Sequence, residues 1–171
     1  MEKYHLRRKE KEMEESEIIQ ILKRNMILTI ALSKDNTPYL ITMNYAFDEH
    51  KMCFYFHCAR AGKKIDYFLS NPEVWGQVLE DDGYILNECS HAYKSIHFKG
   101  QVEFFEEITQ KKNILSFMID QFEQNPEPVK TRFITGSSLE NVRVGKIQII
   151  EITGKKESTD KPKIRKKTNF A

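Results

Sequence analysis

Between residues 26 and 57 the chain alternates short apolar, β-branched and aromatic runs with turn chemistry, and this rhythm limits the fold more than any other feature. "MILTIALS" (26–33) stops at "KDNTP", "YLITMNYAF" (39–47) stops at "DEHK", and "MCFYFH" (52–57) follows. Runs of that length, bounded by Asp, Asn, Pro and Lys, read as antiparallel strands joined by tight turns. Further along, "EVWGQVLED" (73–81), "AYKSIHFKGQVEFFEE" (92–107) and "VRVGKIQIIEIT" (142–153) continue the pattern. Gly100 interrupts the longest of these, where a bulge or a close backbone approach is expected. Three segments carry helical spacing instead. They are 17–25 with Ser16 as a candidate N-cap, the stretch from Gly62 to Ser70 with Ile65, Phe68 and Leu69 on one side, and 109–125 with Thr109 as a candidate N-cap. Six or so strands with helices between them predict a mainly β fold, a small antiparallel barrel with peripheral helices over its ends. The doubly wound parallel order is excluded, and neither GxGxxG nor GxxxxGK[ST] occurs.

At 171 residues, 40% hydrophobic and 30% charged, the chain suits one globular domain. Residues 1–15 read as a charged arm, 16–153 as the folded domain and 154–171 as a basic, flexible tail. The charge balance is 0 over 1–15, −3 over 16–154 and +5 over 155–171. A basic tail either touches nucleic acid or an anionic surface, or is a solvated terminus; the second reading is adopted, with no nucleic-acid partner. No apolar run approaches the length of a membrane span, so no membrane role is expected. The N-terminal stretch has no apolar h-region, which predicts a cytoplasmic location. Three cysteines, Cys53, Cys58 and Cys89, form no CxxC pair, so reduced thiols are expected rather than disulfides or zinc. His57, His91, His97 and Cys89 have no spacing that completes a metal site, and none is assigned.

"FYFHCARAGKKIDYFLSNPEV" (54–74) changes character in its middle. A strand ends at His57, small residues follow, and a helix begins at Gly62 behind Lys63 and Lys64. Lysines at a helix start oppose the macrodipole, so either they are solvated or they hold an anion, most naturally a phosphate, at the free N–H groups. His57, closing its strand, is either a satisfied structural histidine or a group that bonds a ligand and moves a proton near neutral pH. Cys58 points to the opposite face from His57, which rules out a nucleophilic pair and leaves it as packing.

The order of these pieces resembles the pyridoxamine 5′-phosphate oxidase-like split β-barrel flavoproteins, and most of all the Nim-type branch named for 5-nitroimidazole resistance. The resemblance runs from Leu6 to Ile152. Its most specific parts are Asn44-Tyr45, the pattern F-H-x-A-x-x-G-[RK]-K from Phe56 to Lys64, N-P-x-V from Asn71 to Val74, and Ser95 five residues before Gly100.

That resemblance implies an FMN-binding split barrel, with FAD as the alternative cofactor, assembled as a homodimer with the flavin at the subunit interface. It implies that Lys63 and Lys64 meet the phosphate at the helix start and that His57, Cys58 and Ala59 run beside the cofactor. Ile41, Thr42, Met43, Asn44 and Tyr45 would lie along the isoalloxazine edge, largely through backbone groups, and Ser95 would bond the pyrimidine end. Ala59, Ala61 and Gly62 would let the backbone approach phosphate and ribityl atoms. The expected activity is that of an oxidoreductase, a reductase of nitroimidazole-like or other small aromatic substrates, with His57 as proton donor. The alternative is a flavin- or haem-binding module without turnover, a carrier or sensor. Two departures bear on substrate. "ECSHAYKS" has His91 near the place where the Nim-type pattern carries an aromatic, and "VRVGKIQIIEITGKKE" lacks the arginine and histidine of a true pyridoxamine 5′-phosphate oxidase, so vitamin B6 oxidation is not implied.

Overall fold

A computed structural model describes residues 7–164. After a short helical turn, α1 (Glu15–Arg24) leads into β1 (Ile27–Lys34), which turns back as β2 (Thr37–Asn44). The turn is Asp35-Asn36, both with positive φ (49° and 59°), the two-residue geometry that matches the twist of a hairpin. The extended run expected through Phe47 breaks at Tyr45, so a separate β3 (Ala46–Asp48) pairs with β4 (Cys53–Ala59). The Tyr45 N–H donates to the Met26 carbonyl (2.9 Å) and its hydroxyl to the Leu22 carbonyl (2.9 Å), which pins the corner to α1.

Next come α2 (Lys63–Ser70), β5 (Glu73–Ile85), β6 (Ser90–Phe105), α3 (Ile108–Phe122), α4 (Pro126–Phe133), α5 (Gly136–Asn141), β7 (Val142–Glu157) and β8 (Lys163–Ile164). Every strand pair is antiparallel, and the sheet order is β2-β1-β5-β6-β7-β4-β3, with β8 on β5. The two ends of that order, β2 and β3, are consecutive in the chain. The sheet therefore curls into a barrel whose seam, between β2 and β4, is not hydrogen-bonded. The fold is the mainly β split barrel expected. At Lys99/Gly100 the β6–β7 register shifts, and a Cβ on Gly100 would stand 2.5 Å from Ile147 Cγ2, so this glycine has both the bulge and the close approach expected of it.

Inward residues of the strands meet in an aromatic core: Phe54 contacts Phe98, Tyr45 and Phe47 at centroid distances of 4.7, 5.0 and 5.6 Å. All four rings are buried, each contributing about 1.5–3 kcal/mol of transfer free energy. A second, smaller core lies outside β4 and β7, where Cys53, Tyr55 and Val144 pack on Ile114 and Met118 of α3. Gln121 of α3 bonds both the N–H and the carbonyl of Phe47 (3.0 and 2.8 Å), which satisfies the free edge of β3.

Four local expectations are corrected. The N-cap of α1 is Glu14, not Ser16, with the Glu17 carboxylate accepting from the Glu14 N–H at 3.4 Å. The N-cap of α3 is Glu107, not Thr109, its carboxylate accepting from the N–H groups of Thr109 and Gln110 (3.0 Å each). Leu69 is exposed, and Tyr67 takes its place on the buried face of α2 beside Ile65 and Phe68. Residues 126–141, to which no element was assigned, form α4 and α5. In the C-terminal segment, β7 continues to Glu157 and β8 lies on β5, while 165–171, which hold the end of the basic tail, fall outside the described residues.

Candidate functional site

The last hydrogen-bonded pair before the seam is Ala46–Tyr55. Beyond it β2 and β4 part, and because β2 heads the sheet order, the edge of residues 41–44 that faces away from β1 has no strand partner. Half of the N–H and C=O groups of an antiparallel strand point to each side, so this edge presents unpaired backbone groups. Helix α2 starts beside it: Tyr67 packs on Tyr39 of β2 with centroids 5.1 Å apart. The seam thus brings together residues 41–44, the end of β4 at 57–59 and the start of α2 at 62–64.

Strand alternation distributes the side chains. Thr42 and Asn44 point outward and are exposed, while Ile41 and Met43 turn into the core, so the latter two offer the seam backbone only. Tyr45 is buried, with its N–H and hydroxyl already bonded. On β4, His57 and Ala59 face out and Cys58 faces the barrel interior. Burial pushes the Cys58 thiol up against the opposing pull of Lys64 and Arg143, which keeps it a packed, protonated group. Neither nitrogen of His57 has a protein hydrogen-bond partner among the described residues. Desolvation, with Lys64 second, holds its imidazole below the usual pKa.

Gly62 is the N-cap of α2, with φ 124° and ψ 172°, a backbone that side chains rarely adopt. A Cβ there would meet nothing within 4 Å, so glycine is required for conformation, and the space beside it is open. Its carbonyl accepts from the N–H groups of Ile65 (2.8 Å) and Asp66 (3.2 Å), but no side chain caps the helix. The two lysine side chains diverge. Neighbouring helix residues point about 100° apart. The Lys63 ammonium lies over the Tyr39 ring (4.2 Å) and near Tyr67 (5.7 Å), whereas the charge of half-buried Lys64 is felt by His57 and Cys58. They flank the helix start from two sides.

Ser95 is elsewhere. On the outward face of β6 its hydroxyl accepts from Gln77 Nε2 (2.9 Å) and lies 3.2 Å from His97 Nε2. The registers align Thr42, Thr29, Gln77 and His97 in one row across β2, β1, β5 and β6. Three strand steps separate its ends, about 14 Å. The same face exposes Ile27, Leu40, Trp75 and Leu79. Gln77 was not singled out in the sequence; the alternation of β5, with Val74 and Val78 inward, was the available signal.

Outside β4 a cavity of about 340 Å³ opens between α3, α4 and α5. Leu115, Ile119 and Phe122 of α3 and Val129 and Phe133 of α4 form its apolar walls, with His57 and Ser138 among the lining residues. The lining from α4 and α5 escaped the sequence reading, although Pro126 at a helix start and the Thr135/Ser138 capping box mark both helices. Of the other histidines, His91 lies 2.6 Å from the Asp81 carboxylate, and no group of three or more His, Cys, Asp or Glu among the described residues could hold a metal. No helix among them is long and apolar enough to cross a membrane.

The sequence family described as pyridoxamine 5′-phosphate oxidase matches residues 14–156. Among solved structures, a proposed 5-nitroimidazole antibiotic resistance protein from Bacteroides thetaiotaomicron is 20% identical, with 84% of this chain and 85% of that one covered and a TM-score of 0.72. A FAD-binding protein from Mesorhizobium loti is 22% identical over 86% and 97% (TM-score 0.60). The FAD and heme binding protein from Mycobacterium smegmatis is 17% identical over 90% and 77% (TM-score 0.76). At these identities the likeness is one of fold. No curated protein sequence matches the chain.

Proposed function

Because the chain belongs to the pyridoxamine 5′-phosphate oxidase family, we propose that it binds a flavin at the seam between β2 and β4, FMN in the first instance with FAD as the alternative. The observation that carries this reading is the start of α2. It joins an uncapped helix N-terminus, an open glycine cradle and two flanking cations beside an unpaired strand edge. A phosphate there would offset the repulsion between lysines and macrodipole, through charge-assisted hydrogen bonds of about 1.5–3 kcal/mol each. The free backbone edge of 41–44 suits the hydrogen-bonding rim of a flavin ring. Fold neighbours described as FAD-binding support a flavin as the cofactor class.

The flavin, when bound, supplies the redox chemistry. The chain holds it, orients it and places an imidazole beside it. His57, unpaired and held below its usual pKa, is mostly neutral at pH 7, able to donate a proton from one nitrogen or accept one at the other. The reaction proposed is reduction of small aromatic substrates of the nitroimidazole kind, in a protein of the cytoplasm. Since Ser95 lies three strand steps along the sheet from Thr42 and two residues off its row, the proposed homodimer would bring a second protomer's Ser95 face to the seam. A second reading, flavin or haem held without turnover, draws on the same unpaired imidazole as an axial ligand.

The test is spectroscopic. Purified protein should be yellow or take up FMN with a red-shifted flavin band, and joint replacement of Lys63 and Lys64 by alanine should weaken binding by about tenfold or more. A protein that stays colourless and does not bind added FMN overturns the reading. A Soret band selects the haem alternative, and mass analysis of the extracted cofactor decides between FMN and FAD.

A further inference from the structure

The helical layer of α3, α4 and α5 is more than a cover for β4. Its cavity of about 340 Å³ sits at the lower end of the range, about 300–1,000 Å³, that small-molecule sites occupy. The walls are aliphatic and aromatic, and the lining residues include no lysine, arginine, aspartate or glutamate. The nearby cations are engaged elsewhere: Lys130 of α4 bonds Asp120 and Glu127, Lys111 of α3 donates to the Val142 carbonyl, and Lys64, which acts on His57 from the α2 side and is not in the lining, is assigned to the flavin phosphate. Ser138 is occupied as well, its hydroxyl donating to backbone carbonyls and accepting from the Thr135 N–H at the cap of α5. That leaves one polar side chain in the lining without a protein partner, His57, and His57 also stands at the seam.

We propose that this cavity binds a small, uncharged aromatic molecule and holds its polar end against His57. The apolar walls reward burial of a ring by about 25 cal/mol per Å², whereas an anion would lose its hydration with no cation in the lining to receive it. The ligand class therefore excludes phosphorylated and carboxylated aromatics. The inference deepens the flavin reading, on which it rests for its placement: a ring in this cavity lies beside the β4 segment at which the flavin is proposed, and so gives the proposed aromatic substrate its pocket and its lack of charge.

Nitrobenzene and benzoate, alike in shape and different in charge, separate the possibilities by isothermal titration with and without saturating FMN and no electron donor. Nitrobenzene should bind, and benzoate at least about tenfold more weakly. Ile119→Trp, which fills the cavity from α3, should weaken nitrobenzene binding by about tenfold while changing FMN affinity by less than about twofold. Val129→Phe repeats the test from α4 should Ile119→Trp fail to fold. Equal nitrobenzene binding by the filled and native proteins overturns the inference, as does benzoate binding as tightly, or FMN binding with no nitrobenzene uptake. Variant-sensitive nitrobenzene binding in a protein that takes no FMN supports the cavity and its ligand class and overturns the flavin reading instead.

Discussion

The Lys63 ammonium rests 4.2 Å from the centre of the Tyr39 ring, a cation held over the aromatic face at the edge of β2. Such contacts contribute about 0.5–2 kcal/mol depending on solvation. Tyr39 therefore orients a charge that it does not itself carry. Tyr39→Leu should weaken FMN binding by about threefold, Lys63→Ala by about tenfold, and both losses should shrink as salt is raised from 20 to 500 mM. Fluorescence titrations of FMN at the two salt concentrations check the ranking. If Tyr39→Leu costs as much as Lys63→Ala, the ring itself contacts the ligand.

Gly76 and Gly136 make a pair of opposite expectation. A Cβ on Gly76 would stand 2.1–2.7 Å from three ring atoms of Phe98, which is fully buried and wedged against Phe54 at 4.7 Å, so the ring has nowhere to go. Gly76→Ala should cost about 1–3 kcal/mol, lowering Tm by roughly 3–10 °C. Gly136, the first residue of α5, has open space around it, and alanine there should be neutral or stabilising by up to about 1 kcal/mol. Thermal unfolding of the two variants beside the native chain measures the contrast.

The difference between what the sequence discloses and what it conceals has a physical pattern. Local signals were legible: Gly100 as a bulge, Asn71-Pro72 as the stop of α2, and the inward turn of Cys58 all follow from backbone sterics and period 2. The strand run through Tyr45 was misread as continuous because its residues have strand propensity throughout. The break comes from a tertiary bond, the Tyr45 hydroxyl on the Leu22 carbonyl, to which propensity is blind. The lysine doublet is plain in the sequence but its divergence is not, since the ring that takes the Lys63 ammonium, Tyr39, lies on β2. Residues 126–141 were missed because their helices are short and bury little, so helical period is weak there; their caps were the better guide.

Arg24 clamps Glu80 with two hydrogen bonds (2.6 and 2.5 Å), and Asn25 adds a third at 2.8 Å, which ties the end of α1 to β5. Chiefly because of Arg24, against the opposing cost of burial, the Glu80 carboxyl is pushed down to about 2. The folded-state pKa lies below the unfolded value of about 4.3, so the stabilisation is complete above about pH 5 and is lost as pH falls toward 2. It amounts to at most about 3 kcal/mol, less for the exposure of Arg24. Urea unfolding should show Glu80→Gln less stable than the native chain at pH 7, with the gap narrowing steadily between pH 5 and pH 2. A gap that is constant over this range would mean that the ion pair is not its source.

The outward face of β2, β1, β5 and β6 exposes Leu40 at 67% and Trp75 at 46%, on either side of Ala31 in one cross-strand row, with Ile27 and Leu79 on the same face. Large apolar side chains grouped on one sheet face mark an association surface more often than they occur by chance on a monomer. A twofold dimer through this face would be self-complementary and would set each protomer's Gln77, Ser95 and His97 against its partner. Leu40→Glu places a charge in that contact without touching the residues assigned to the flavin phosphate. It should shift the protein from dimer to monomer in analytical ultracentrifugation and, if the second protomer completes the site, weaken FMN binding by about tenfold in the same sample. Ser95→Ala should leave the dimer intact and cost FMN affinity alone, by about threefold for one lost hydrogen bond. A native protein that sediments as a monomer and still binds FMN fully would confine the site to one chain, and the outward face would then need another explanation.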